Sequence, residues 1–154
     1  MNSRAIVTLA DNNYFDLLQE LINSIKQHKK SESISICILD AGLTDEQCKI
    51  LSNQVHSIKK AKWDIPVPSY KVIGKEWLKS QVSRAFLPEY FPGFKKYLWI
   101  DCDAWVNSWD AVELYFKACD NGKLGITQSI GPGYKILTKV KWIFGKIALI
   151  KSQN

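Results

Sequence analysis

Apolar residues follow two alternating periodicities along this chain. Residues 5–10, Ala-Ile-Val-Thr-Leu-Ala, form a short continuous apolar run and predict a buried first strand. Asp11-Asn12-Asn13 interrupts the run as a turn or helix entry. Tyr14, Leu17, Leu18, Leu21, Ile22 and Ile25 then recur at helical spacing and predict an amphipathic helix. A second buried strand is predicted over residues 34–39, closed by Asp40-Ala41-Gly42. Thr44 with Gln47 three residues on is a capping box, opening a helix over residues 45–56. Residues 63–68 carry two prolines and predict a short extended edge piece, while residues 69–80 read as irregular. Ser80 is placed to cap a helix over residues 81–87, and Pro88 and Pro92 break the chain beyond it. Residues 96–100 predict another buried strand. Ser108 is placed to cap a helix that stops at Asn121-Gly122, and residues 124–128 read as a further strand. Strands alternating with helices predict an α/β fold with a largely parallel sheet.

In open α/β sheets, ligands gather beyond the carboxyl ends of the strands. Asp11, Asn13, Asp40 and the pair Asp101/Asp103 all lie just past predicted strand ends. Residues two apart on a strand point to the same side, about 6 to 7 Å apart along the chain. Two carboxylates converging to about 5 Å repel by roughly 3 kcal/mol at an effective dielectric of 20. A divalent cation removes that penalty, and hard carboxylate oxygens suit Mg²⁺ or Mn²⁺. Asp101-Cys102-Asp103 therefore reads as a metal–phosphate site. The Asp11 cluster has two readings: a plain helix cap, or a cluster that hydrogen-bonds a base or ribose while Tyr14 offers a ring face. Apart from Arg4, Arg84 is the one arginine of the chain, and bidentate phosphate contact is the chemistry arginine does best.

Length and composition are those of one globular domain, with 46% hydrophobic and 23% charged residues. Charge changes the picture more. All 15 acidic residues precede residue 121, whereas six of the 21 Lys and Arg (Lys123, Lys135, Lys139, Lys141, Lys146 and Lys151) come after it. The net charge of +6 thus resides in the C-terminal segment, which either faces an anionic partner or is simply solvated. Cys37, Cys48, Cys102 and Cys119 lack metal-ligand or disulfide spacing and read as reduced thiols, which favours a cytoplasmic setting. His28 and His56 read as solvated surface residues. No signal peptide and no membrane-spanning run is visible.

Four segments in order carry a family resemblance: Ala5-Ile-Val-Thr-Leu-Ala-Asp-Asn-Asn-Tyr14, Ile38-Leu-Asp-Ala-Gly-Leu-Thr44, Ser83-Arg-Ala-Phe-Leu-Pro-Glu89 and Lys96-Tyr-Leu-Trp-Ile-Asp-Cys-Asp103. Together they resemble glycosyltransferase family 8 and its close relatives of the GT-A fold, among them bacterial enzymes that build lipopolysaccharide outer cores. The resemblance covers roughly residues 4–128. It implies a Rossmann-like open sheet with helices on both faces, and a nucleotide-sugar donor, usually UDP-linked, held with Mn²⁺ or Mg²⁺. Asp11, Asn13 and Tyr14 match the uridine-binding cluster, and Ala10 and Cys102 flank the same nucleotide-sugar site. Arg84 matches the arginine that contacts donor phosphate or sugar. Asp101 and Asp103 match the metal-binding pair, Asp101 shared between metal and ribose. Sugar transfer with retention of anomeric configuration is the implied reaction, with a glycan or glycolipid acceptor. No catalytic nucleophile is assigned.

Family members run to about double this length, and their second half supplies a His-containing motif that completes the metal shell. No histidine occurs after His56 here. The expectation is therefore a donor-binding domain over residues 1–128, truncated relative to the family, with a basic apolar segment over residues 129–154. The lysines of residues 135–151 are expected to draw it to the inner face of a membrane. A non-catalytic nucleotide-sugar-binding remnant is the alternative. Phosphatases of the haloacid dehalogenase type also place Asp-x-Asp after an apolar strand. They carry it on the first strand, with Thr or Val where this chain has Trp105. No nucleic-acid partner is expected.

Overall fold

The computed structural model describes residues 3–127, and residues 148–151 by their backbone. Among the described residues six strands make one sheet: β1 (Arg4–Ala10), β2 (Ser35–Asp40), β3 (Ser57–Lys60), β4 (Lys96–Trp99), β5 (Gly125–Ile126) and β6 (Ala148–Lys151). Their order is β3-β2-β1-β4-β6-β5. The first four run parallel, with Ala5 opposite Ser35, Ala5 opposite Tyr97 and Cys37 opposite Ser57. β6 lies antiparallel between β4 and β5. β1 and β2 are buried on both faces along almost their whole length, which is why each reads as an unbroken apolar run.

Alternation divides the core into two layers. Ile6, Ile38, Leu98 and Ile100 face α1 (Phe15–Lys26), α2 (Asp45–Ser52) and α6 (Trp109–Ala118) through Leu18, Leu21, Ile22, Ile25, Leu51, Val112 and Phe116. On the opposite face Val7, Cys37, Leu39, Tyr97 and Trp99 pack against Leu87 and Tyr90 of α5 (Leu87–Tyr90), with Phe91 and Phe94. Among the described residues α3 (Ser69–Val72) and α4 (Lys79–Ser83) complete the α-helices.

Several sequence expectations shift. The extended piece at residues 63–68 is not a strand. An edge strand, β3, Ser-Ile-Lys-Lys, forms instead just past the helix expected over residues 45–56, in a stretch assigned no element, and α2 stops at Ser52. An edge strand buries little, so no apolar run announces it. Residues 69–90 form α3, a 3-10 turn, α4, a second 3-10 turn and α5 in place of one helix over 81–87. Ser80 lies inside α4, and neither it nor Ser108 makes a side-chain cap. α6 ends at Ala118, two residues before the 3-10 turn Asp120–Gly122. Tyr14 and Leu17 stay exposed while the rest of the α1 stripe is buried. The strand expected over residues 124–128 is only Gly125–Ile126, antiparallel to β6, and Gln128 lies outside the described residues. The Thr44–Gln47 capping box forms in both directions. His28 is half-buried rather than solvated, bonded through Nε2 to the Val106 carbonyl at 3.1 Å. His56 keeps an edge contact with Phe94. All four cysteines are free thiols.

Candidate functional site

Strand order reverses at β1: the chain runs outward through β2 and β3, then returns to place β4 on the other side of β1. The diverging connections leave a crevice beyond the carboxyl ends of β1 and β4, the switch point where α/β sheets bind ligands. A cavity of about 320 Å³ opens there. Ala10, Asp11 and Tyr14 line it from β1, and Trp99, Asp101, Cys102 and Asp103 from β4. Trp77, Ser80, Gln81 and Arg84 form a third wall.

Each wall is held by identifiable bonds. Asp11 Oδ1 accepts the backbone N–H of Asn13 at 2.9 Å and of Tyr14 at 3.3 Å, so it caps the 3-10 turn that leads into α1. The cap and the cavity position coexist in one side chain. Asn13 is exposed and lies outside the cavity lining. Behind the Asp-x-Asp turn, Ala104 N–H donates to the Asp101 carbonyl at 3.0 Å. Buried Ser24 of α1 accepts the Val106 N–H at 3.0 Å, and His28 adds its bond to the same residue. The segment just past the carboxylates is thereby pinned to α1.

Arg84 comes from the 3-10 turn Arg84–Phe86 and is only 7% exposed. Its Nη2 donates to Asp101 Oδ1 at 2.7 Å, and its guanidinium carbon stands 5.0 Å from the Trp99 ring centroid. Burial lowers the Arg84 pKa against the opposing pull of Asp101, yet a guanidinium keeps its charge in proteins. Burial, and then the charges of Asp103, Asp101 and Asp11, push the Cys102 thiol up to about 12, so it is neutral at pH 7. Asp103 is exposed.

Asp40, the other carboxylate expected at this sheet end, is committed elsewhere. Its Oδ1 accepts Gly42 and Leu43 N–H, both at 2.7 Å, and Oδ2 pairs with Lys60 at 3.1 Å. It does not line the cavity.

A family model matches over residues 5–122: glycosyl transferase family 8. The chain belongs to glycosyl transferase family 8. Its fold is that of GT-A glycosyltransferases. The galactosyltransferase LgtC, solved with donor and acceptor sugar analogs, is similar at 21% identity and a TM-score of 0.64, over 96% of this chain and 57% of that one. The bifunctional glycosyltransferase WbbM matches at 18% identity and a TM-score of 0.64, over 97% and 31% respectively. A mannosyltransferase from Pyrobaculum calidifontis, solved with GDP-Man and Mn²⁺, matches at 10% identity and a TM-score of 0.55, over 97% and 44%. This family 8 chain thus spans little more than half the length of LgtC, and less of the other two. Comparison with curated proteins gives no match.

Of the residues singled out in the sequence, the cavity brings together Ala10, Asp11, Tyr14, Arg84, Asp101, Cys102 and Asp103 but not Asn13. Trp99, Trp77, Ser80 and Gln81 also line it and were not singled out as site residues. For Trp99 a signal existed, since it precedes Asp101 by two residues, the spacing that shares a side on a strand. For the other three none did, because residues 69–83 carry no period.

Proposed function

We propose that this chain is the donor-binding part of a metal-dependent glycosyltransferase, which takes a UDP-linked sugar into the cavity between β1 and β4. The observation that carries this reading is the convergence of Asp11, Tyr14, Arg84, Asp101 and Asp103 on the switch-point crevice of a family 8 fold. Ala10, Asp11 and Tyr14, with Asn13 at the rim, would receive the nucleoside. Arg84 would bring a fixed positive charge to the diphosphate.

Among the described residues, no group of three or more His, Cys, Asp or Glu side chains is arranged to hold an ion. Mg²⁺ is commonly held by one or two carboxylates together with substrate phosphates and water, and Asp101 and Asp103 fit a cation that arrives with a diphosphate. When bound, the ion would neutralise charge on the departing nucleotide. The chain's own contribution is orientation: Arg84 and Trp99 hold Asp101, and the Asp11 cap holds the β1 wall. The proposed reaction is transfer with retention to a glycan or glycolipid such as lipopolysaccharide.

No helix among the described residues is long and apolar enough to cross a membrane. The lysines of residues 135–151 lie outside the described residues, apart from the backbone of β6. We propose that they attract the protein to an anionic membrane surface carrying the acceptor. The residue ranges 1–128 for donor binding and 129–154 for this segment are part of the same proposal.

Calorimetric titration of UDP with Mn²⁺ and with EDTA, beside Asp103→Ala, tests the donor site. Metal-dependent binding that the substitution abolishes is expected; absence of UDP binding from folded protein would sink the proposal. Binding without transfer from any UDP-sugar would leave the second reading, a nucleotide-sugar-binding domain without catalysis.

A further inference from the structure

The Asp101 carboxylate is asymmetric. Oδ1 accepts two donors, Trp99 Nε1–H at 2.7 Å and Arg84 Nη2–H at 2.7 Å. An ionised carboxylate has about four lone-pair sites over its two oxygens, so two donors saturate Oδ1. Among the described residues Oδ2 accepts nothing. A carboxylate torsion is broad and roughly two-fold, and an unrestrained Asp101 would present either oxygen. Two convergent donors remove that freedom.

The indole is well placed to act as a fixed donor. Trp99 is 1% exposed, in the core layer with Tyr97 and Leu87. It ends β4, two residues before Asp101, and the Arg84 guanidinium lies over its ring. A buried indole N–H needs a partner, and here the partner is the first carboxylate of the Asp-x-Asp turn.

We propose that Trp99 is a positioning residue for the donor's cation: its N–H, with Arg84, holds Oδ1 of Asp101 so that Oδ2 is the oxygen presented to the ion. This rests on the donor-site reading above. A purely structural Trp99 would fill the core and satisfy its own N–H without bearing on metal affinity.

Trp99→Phe separates the two, because it keeps an aromatic ring beneath Arg84 and deletes the donor, while the ring volume lost with it affects affinity equally with and without metal. Mn²⁺ affinity in the presence of UDP is read from the paramagnetic resonance of free Mn²⁺, and UDP affinity in EDTA from calorimetry. Loss of a partner behind a metal ligand costs about 10- to 100-fold in metal affinity, the drop expected here, with a far smaller change in EDTA. Unchanged Mn²⁺ affinity, or equal losses with and without metal, would overturn the proposal. Should Trp99→Phe fail to fold, the wild-type protein still decides. The Trp99 indole ¹⁵N–¹H resonance is expected to move on saturation with Mg²⁺ and UDP but not with UDP in EDTA, and an identical position in both overturns the assignment. A wild type that binds no Mn²⁺ with UDP defeats the donor-site reading itself, and the role of Trp99 falls with it.

Discussion

Three aspartates stand at strand ends in this sheet, and their hydrogen bonds give them different roles. Asp11 caps a turn and still faces the cavity, Asp101 is gripped at one oxygen, and Asp40 is locked into the backbone. Burial raises the Asp40 pKa, but the Leu43 and Gly42 N–H groups and Lys60 outweigh it and hold the carboxyl below its ordinary value. The depressed folded-state pKa contributes stability above the unfolded value, about 3.9, and this is lost as pH falls through the folded-state value. Asp40→Asn is therefore expected to lower the urea midpoint at pH 7. The difference from wild type should narrow at more acid pH, where Asp40 is protonated in both states. A gap that is constant across that range would show that the carboxylate charge is not what stabilises the turn.

The two loops that leave β1 and β2 act as one unit. Asn12 N–H donates to the Gly42 carbonyl at 3.1 Å, and Gln47 Nε2 donates to Asn12 Oδ1 at 2.9 Å. Gly42 has a φ of +139°, a region that side chains rarely tolerate, and a Cβ there would stand 3.7 Å from Asp11 Cβ. Space is adequate, so the cost of Gly42→Ala is strain, about 1–3 kcal/mol. A fall of several degrees in Tm is expected, accompanied by weaker UDP binding as the Asp11 wall shifts. A wild-type Tm would mean that the backbone reaches this turn without glycine.

For the whole molecule, the acidic residues all lie in the first 120 positions and the +6 excess in the last 34. Charge separated in this way acts through long-range attraction, which salt screens over about 10 Å at 0.1 M. Cosedimentation with anionic lipid vesicles is expected at low salt and should fade as salt is raised, with little binding to neutral vesicles. Equal sedimentation with both lipids would leave the lysines as ordinary solvation. The donor site, by contrast, belongs to topology: the strand order that reverses at β1 makes the crevice, and no local segment contains it.

Sequence alone determined the elements whose burial is nearly complete. β1, β2 and β4 are apolar runs because parallel central strands are covered on both faces, and most of the α1 stripe faces a single core layer. It also located the polar groups at strand ends, since a chain leaving a sheet must change character there. β3 escaped notice because an edge strand buries too little to need an apolar pattern, and residues 69–90 because short helical pieces lack a period. Tertiary structure alone decided which distant side chain each strand-end aspartate meets. Asp11, Asp40 and Asp101 look alike in sequence and each has partners two or three residues away, but Lys60 on Asp40 and Arg84 on Asp101 are brought close by chain crossings. The third wall, with Trp77, Ser80, Gln81 and a buried Arg84, is likewise a product of the crossing that carries the chain from β3 back to β4. Local pattern records what a residue must bury, and only the fold determines what it meets.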